Sequence, residues 1–208
     1  MTIDVGTGDG RAVLAAAARE TGTLVLGMDA NAAGMAEASR RASRRPARGG
    51  LPNAGFVVAA AESPPAELAG AACRVTVAFP WGSLLRGCVG LDTAVSAGLA
   101  GLVAPGGQLE LLLAPAERDG LEAVPTSVDG LGAAAARTFA PLGFDMVLAR
   151  TATPRELRAS GSTWARRLGS AAPPGTGRRG SATGAEGRVV TLVRLQGPDP
   201  RQVGTSRR

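Results

Sequence analysis

The segment Asp4-Val5-Gly6-Thr7-Gly8-Asp9-Gly10 constrains the fold more than any other part of the chain. It follows a short apolar stretch, and an acid, Asp29, closes the next apolar run at Leu24–Met28. A strand that runs into a glycine-rich turn and then a helix brings bare backbone up to a ligand. An acid at the tip of the second strand can hold ribose hydroxyls. The pair predicts a nucleotide-type cofactor site in an α/β domain. A dinucleotide fingerprint would require Gly-x-Gly-x-x-Gly, but glycines fall at 6, 8 and 10 and Arg11 holds the third glycine position.

The rest of the chain keeps the same alternation. Apolar runs at Thr2–Val5, Leu24–Met28, Gly55–Ala59, Arg74–Phe79 and Gln108–Leu113 are separated by alanine-rich stretches such as Arg11–Glu20, Asn31–Ser43 and Leu91–Leu102. That order predicts a parallel sheet with crossover helices. Val103-Ala104-Pro105-Gly106-Gly107 closes a helix and turns into the fifth strand. Gly130–Leu142 reads as another helix, and Phe144–Arg150 and Arg188–Leu195 as the last two strands. Ala171–Gly187, rich in Gly, Pro, Ala and Ser, lacks the apolar residues of a core segment and reads as a flexible loop. The 208 residues suit one domain, 1–197, followed by a disordered basic tail, 198–208. The glycine motif begins only four residues in, so either the chain starts there or its assigned start lies downstream of the real one.

All 23 basic residues are arginine, because lysine is absent, and they outweigh 17 acids to give +6 and a pI near 11.2. Such a balance favours a polyanionic partner, since arginine pairs phosphates bidentately and stacks on bases. Five arginines crowd nine residues: Arg40, Arg41, Arg44, Arg45 and Arg48. A helix C-terminus accounts for two of them, and the excess points to phosphate contacts. Cys73 and Cys88 are the only cysteines and there is no histidine, which argues against a zinc site or a disulfide framework and fits a reducing cytoplasm. No segment has the apolar length of a membrane span or the make-up of a signal peptide.

Asp-x-Gly-x-Gly-x-Gly resembles the first motif of S-adenosylmethionine (SAM) dependent methyltransferases. A carboxylate before the glycines suits a ligand that brings an ammonium and a sulfonium. The fourth strand then ends in Ala78-Phe79-Pro80-Trp81-Gly82-Ser83-Leu84-Leu85-Arg86-Gly87, read as a loop over the cofactor edge. Methyltransferases that act on exocyclic amines place Asn or Asp where this chain has Phe79. A nucleophile with an in-plane lone pair, such as adenine N1, needs no such partner, only a face like that of Trp81 to stack on. The competing reading is a buried tryptophan capping the sheet. Trp164, beside Arg166 and Arg167, suits a nucleic-acid surface or a site lid better than a core. Two tryptophans on one sheet edge could sandwich a flipped base.

With these segments the chain resembles the 16S ribosomal RNA adenine-N1 methyltransferases of the aminoglycoside-resistance type. The resemblance rests on residues 4–10, Asp29-Ala30, Arg45-Pro46-Ala47-Arg48-Gly49-Gly50-Leu51-Pro52-Asn53, Ala61-Glu62, 79–87 and Ser162-Thr163-Trp164-Ala165-Arg166-Arg167-Leu168. It implies a Rossmann-like class I methyltransferase fold, a seven-stranded, mostly parallel sheet with helices on both faces. It implies SAM as cofactor, with Asp4, Gly6, Thr7 and Gly8 at its methionine end, Asp29 and Ala30 at its ribose, and Ala61 and Glu62 at its adenine. Ser83 and Ser162 would lie beside it. Trp81 and Trp164 would sandwich the target adenine, and Arg45, Arg48 and Arg167 would grip phosphates of 16S rRNA in the 30S subunit. The same resemblance implies a cytoplasmic monomer with no metal and no membrane contact. Members carry an extension before the first strand that has no counterpart here. Two rivals share part of the pattern: a small-molecule methyltransferase, which has little use for the arginine clusters, and an rRNA-binding relative without catalysis.

Overall fold

A computed structural model describes residues 1–115, 119, 121, 124, 126–162 and 189–199. The expectations for Trp164, Arg167, the loop 171–187 and residues 200–208 lie outside the described residues. Seven strands, β1 (Thr2–Val5), β2 (Val25–Asp29), β3 (Ala54–Val58), β4 (Ala72–Ala78), β5 (Val103–Leu113), β6 (Asp145–Thr151) and β7 (Thr191–Gln196), form one sheet in the order 3-2-1-4-5-7-6. Parallel pairing joins β3, β2, β1, β4 and β5, and β7 runs antiparallel to both its neighbours. The helices are α1 (Arg11–Arg19), α2 (Ala32–Ala42), α3 (Gly82–Cys88), α4 (Thr93–Leu102), α5 (Val128–Phe139) and α6 (Pro154–Ala159). This is the mostly parallel α/β sheet that the alternation predicts.

The four residues of β1 are all buried, as a central strand paired on both edges requires. Side chains alternate across the sheet. Ile3, Val5, Val75, Val77, Leu109, Leu111, Val193 and Leu195 join Leu85, Val95, Leu99, Leu131 and Phe139 in the main core beneath α3, α4 and α5. The opposite face of the central strands is polar: Thr2, Asp4, Arg74, Thr76, Glu110 and Arg194 lie there. Arg74 donates to both carboxylate oxygens of Glu20 at 3.0 and 2.9 Å, and Arg194 pairs with Glu110 at 2.9 Å.

Two helices depart from the sequence reading. The loop expected over 79–87 becomes α3 from Gly82 onward, with Trp81 in extended backbone at its N-cap. The short α6 was not expected. It carries a proline at its first turn and a capping box in which Thr153 accepts from the Glu156 N–H and the Glu156 side chain accepts from the Thr153 N–H. Strand β5 also starts earlier than Gln108. Val103 already pairs with Ala72, and Pro105-Gly106-Gly107 bulges before the ladder resumes at Gln108. At the C-terminal end the Gly197 N–H donates to Gly107 and the Gly106 N–H donates to Pro198, so backbone pairing reaches past residue 197.

Candidate active site

The order in which strands are added reverses between β1 and β4, and a cavity opens at the carboxyl ends of these parallel strands, where ligands settle in sheets of this kind. It measures about 790 Å³. Asp4, Gly6, Thr7, Gly8, Asp29, Ala30, Ala61, Glu62, Ser83 and Ser162 all line it, as do Phe79, Pro80 and Trp81. Every expected cofactor residue therefore meets in one space, contributed by the ends of β1, β2, β3 and β4, the start of α3 and the end of the α6 segment.

The glycine turn is held by its neighbours. Gly6, Gly8 and Gly10 all have positive φ, 73°, 58° and 69°, in the left-handed region that side chains avoid. At Gly6 a Cβ would lie 2.5 Å from Leu84 Cδ2, whereas at Gly8 it would meet nothing within 4 Å. Gly6 is thus favoured by its backbone conformation, with Leu84 having to give way to any side chain there, and Gly8 leaves bare backbone toward the cavity. Asp29 ties the turn down from the side: its Oδ2 accepts from the Gly8 N–H at 2.8 Å and its Oδ1 from the Asn31 N–H at 2.8 Å. Each carboxylate oxygen keeps a further lone pair for a ligand. Asn31 caps α2 by accepting from the Gly34 N–H at 3.4 Å. Gly34 lets that helix approach, since a Cβ there would lie 2.9 Å from the Gly8 carbonyl.

Asp4 is the buried acid of the site, 9% exposed. Burial raises its carboxyl above the ordinary 3.8, and nearby Asp29 adds to the rise, while the hydroxyls of Thr7 and Thr76 act the other way. Thr76 Oγ1 donates to Asp4 Oδ1 at 2.9 Å. Thr76 was missed in the sequence, because a threonine in the middle of a strand carries no signal of its own. The loop after β3 is set by α4: a Cβ on Gly98 would sit 1.8 Å from the Ala61 carbonyl, so only glycine lets the helix support Ala61 and Glu62 so closely.

Trp81 is 80% exposed at the cavity lip, which overturns the reading of a tryptophan buried against the sheet. The arginine cluster sits elsewhere. Helix α2 runs back from the cavity, so Arg41, Arg44, Arg45 and Arg48 lie by the start of β3, on the opposite edge of the sheet, and are exposed. Arg40 pairs with Glu37 at 2.8 Å, but none of those four forms an ion pair among the described residues. Their loop is built rather than loose. Asn53 Nδ2 donates to the carbonyls of Ala17, Glu20 and Thr23 at 3.0 to 3.1 Å, and at Gly50 a Cβ would fall 1.7 Å from the Arg44 carbonyl. Among the described residues no helix is long and apolar enough to cross a membrane.

The chain is similar to known proteins in sequence and in fold. The family described as NpmA, 16S rRNA (adenine(1408)-N(1))-methyltransferase, matches residues 1–178. Among curated proteins, the 16S rRNA (adenine(1408)-N(1))-methyltransferase of Streptoalloteichus tenebrarius is 33% identical over 178 residues, covering 82% of this chain and 80% of its own length. That of Streptoalloteichus hindustanus is 34% identical over 179 residues with the same coverage. A 16S rRNA (adenine(1408)-N(1))-methyltransferase from Catenulisporales acidiphilia, solved as a variant with its cosubstrate SAM, superposes with a TM-score of 0.76 at 34% identity, covering 96% of this chain and 86% of that one. The 16S rRNA methyltransferase KamB gives a TM-score of 0.79 at 28% identity, with 95% and 87% covered. Matched over most of its length in sequence and in fold, the chain belongs to the 16S rRNA (adenine(1408)-N(1))-methyltransferase family.

Proposed function

We propose that this chain transfers a methyl group from SAM to N1 of adenine 1408 of 16S rRNA, that its substrate is the assembled 30S subunit, and that the product confers aminoglycoside resistance. The family assignment supports the reaction, and one observation carries it to these residues: the ten expected cofactor residues and Trp81 share a single cavity. The residues present fit the cofactor. A buried acid at Asp4 suits an ammonium group, Gly8 leaves open room beside bare backbone, and Asp29 keeps acceptor capacity for ribose hydroxyls.

In this reading Asp4, Gly6, Thr7 and Gly8 hold the methionine end, Asp29 and Ala30 the ribose, and Ala61 and Glu62 the adenine, with Ser83 and Ser162 alongside. SAM supplies a methyl group already activated on a positively charged sulfur. The protein's task is to hold adenine N1 in line with it, and the in-plane lone pair of N1 makes a side-chain base unnecessary. Trp81 and Trp164 stack on the two faces of the flipped base, and Arg45, Arg48 and Arg167 contact phosphates. The chain is expected to act as a monomer, in the cytoplasm where the subunits are. The methylated base carries added bulk and positive charge, which opposes hydrogen bonding by kanamycin-like and apramycin-like drugs.

Primer extension across the decoding region of 30S subunits treated with protein and SAM tests the proposal. A reverse-transcription stop at adenine 1408 is expected, because N1 methylation blocks the pairing edge. With Trp81→Ala the stop should weaken about 10- to 100-fold, the worth of one base stack, while the melting temperature holds because Trp81 is exposed. Absence of the stop with wild-type protein that binds SAM would overturn the assignment of this substrate.

A further inference from the structure

Phe79 is the one non-glycine residue with positive φ, 54°, among the described residues. A bulky side chain is rarely found there, and the residue before a proline is pushed toward extended backbone, so Phe79-Pro80 is disfavoured twice over. Such a conformation persists only where the surroundings hold it, and it gathers at functional sites. Two contacts do so here. The Phe79 N–H donates to the Leu112 carbonyl at 2.8 Å, and the ring packs into a small apolar cluster with Leu112, Ala152, Leu157, Val190 and Leu192. That cluster is separate from the main core. It gathers the end of β5, helix α6 and the entry to β7. Leu157 and Val190 flank the segment of sequence that contains Trp164, and Trp81 follows Phe79 by two residues.

We propose that Phe79 is a positioning residue. Its strained backbone, pinned by this cluster, aims the exposed Trp81 into the lip of the cavity and ties that tryptophan to the base of the α6-to-β7 connection. An exposed indole has no packing of its own to fix it, so its direction must come from the backbone behind it. The turn at Phe79 supplies that direction, and the cluster keeps the turn from relaxing. A change at Phe79 therefore reaches the stacking face without touching the groups at Asp4 and Asp29.

This inference rests on the proposed methylation for its kinetic part only. The chain has two tryptophans, so Trp164→Phe leaves Trp81 as its sole indole reporter. In that background, Phe79→Gly should increase the amplitude of the fast decay of Trp81 fluorescence anisotropy, and Phe79→Leu, which keeps the apolar anchor, should restore most of it. In the otherwise unaltered chain, with 30S subunits as substrate, Phe79→Gly should lower kcat about tenfold or more while the Kd for SAM stays within twofold. Phe79→Leu should stay within about threefold of wild type in kcat. Unchanged Trp81 motion in folded Phe79→Gly protein overturns the proposal. So does a loss of kcat that tracks a loss of SAM affinity, or increased motion with kcat intact. If wild-type protein itself fails to methylate, the function is wrong and the anisotropy still decides whether Phe79 holds Trp81.

Discussion

Asp4 shows how one residue lining the cavity can oppose the fold. A carboxyl raised by burial opposes folding once it ionises: the unfolded chain loses its proton near 3.8 and the folded chain at higher pH, so stability falls as pH rises through that interval. Asp4→Asn removes the effect and can still accept from Thr76. Without SAM, the variant should melt above wild type at pH 7, and the advantage should vanish below pH 3.8, where both chains are neutral at this position. Its affinity for SAM should fall about tenfold or more, the worth of a charge-assisted hydrogen bond. Calorimetry across pH with a SAM titration checks both parts, and a lower melting temperature with SAM affinity retained would contradict them. Wild-type affinity for SAM should also weaken as pH falls through the Asp4 pKa, since binding must then displace a proton.

Among the elements, α6 was open to sequence reading and α3 was not. Thr153-Pro154-Arg155-Glu156 spells a capping box with proline at the first helical position, a signature that its six residues need because they cannot sustain a helix by periodicity. Helix α3 starts at Gly82, directly behind Phe79-Pro80-Trp81, a stretch that reads as loop, and no residue type announces a positive φ at phenylalanine. The glycine turn and Asp29 were legible because only a few residue types can occupy those backbones, whereas Thr76 and Gly98 became meaningful only through what they touch. The capping box also carries charge. Arg150 donates to both oxygens of Glu156 at 2.8 and 2.6 Å, and chiefly through that pairing Glu156 is lowered to about 2. A lowered carboxyl stabilises the fold above its unfolded value of 4.5, and the contribution is lost as pH falls toward 2. Glu156→Gln should therefore destabilise the protein by about 1 kcal/mol at pH 7, the usual worth of a cap. The gap to wild type should close on acidification, as read from denaturant midpoints at pH 7, 4 and 2.

For the whole molecule, the parallel sheet and a cofactor site at the carboxyl ends of its strands followed from the strand and helix alternation together with one glycine motif. The reversal of β7 did not, because an apolar strand reads the same in either direction. The arginine loop follows the close of the second helix and leads into the third strand, as its sequence position indicates, and the course of α2 puts its charges on the far edge of the sheet. If those arginines neutralise phosphates, Arg45→Ala and Arg48→Ala should each lower by about one the slope of log affinity for 30S subunits against log salt concentration. Affinity for SAM should not change. An unaltered slope would assign the cluster to solubility alone.

That far edge has a consequence for how a target is chosen. Eleven residues of α2, about 16 Å at 1.5 Å per residue, separate the cavity end of the helix from its arginine end. If the arginines hold phosphate and Trp81, at the lip of the cavity, stacks on the target base as proposed, the protein acts as a caliper. On that proposal it would select a base by where that base lies relative to a distant stretch of backbone, and so could find a single adenine without reading the letters around it.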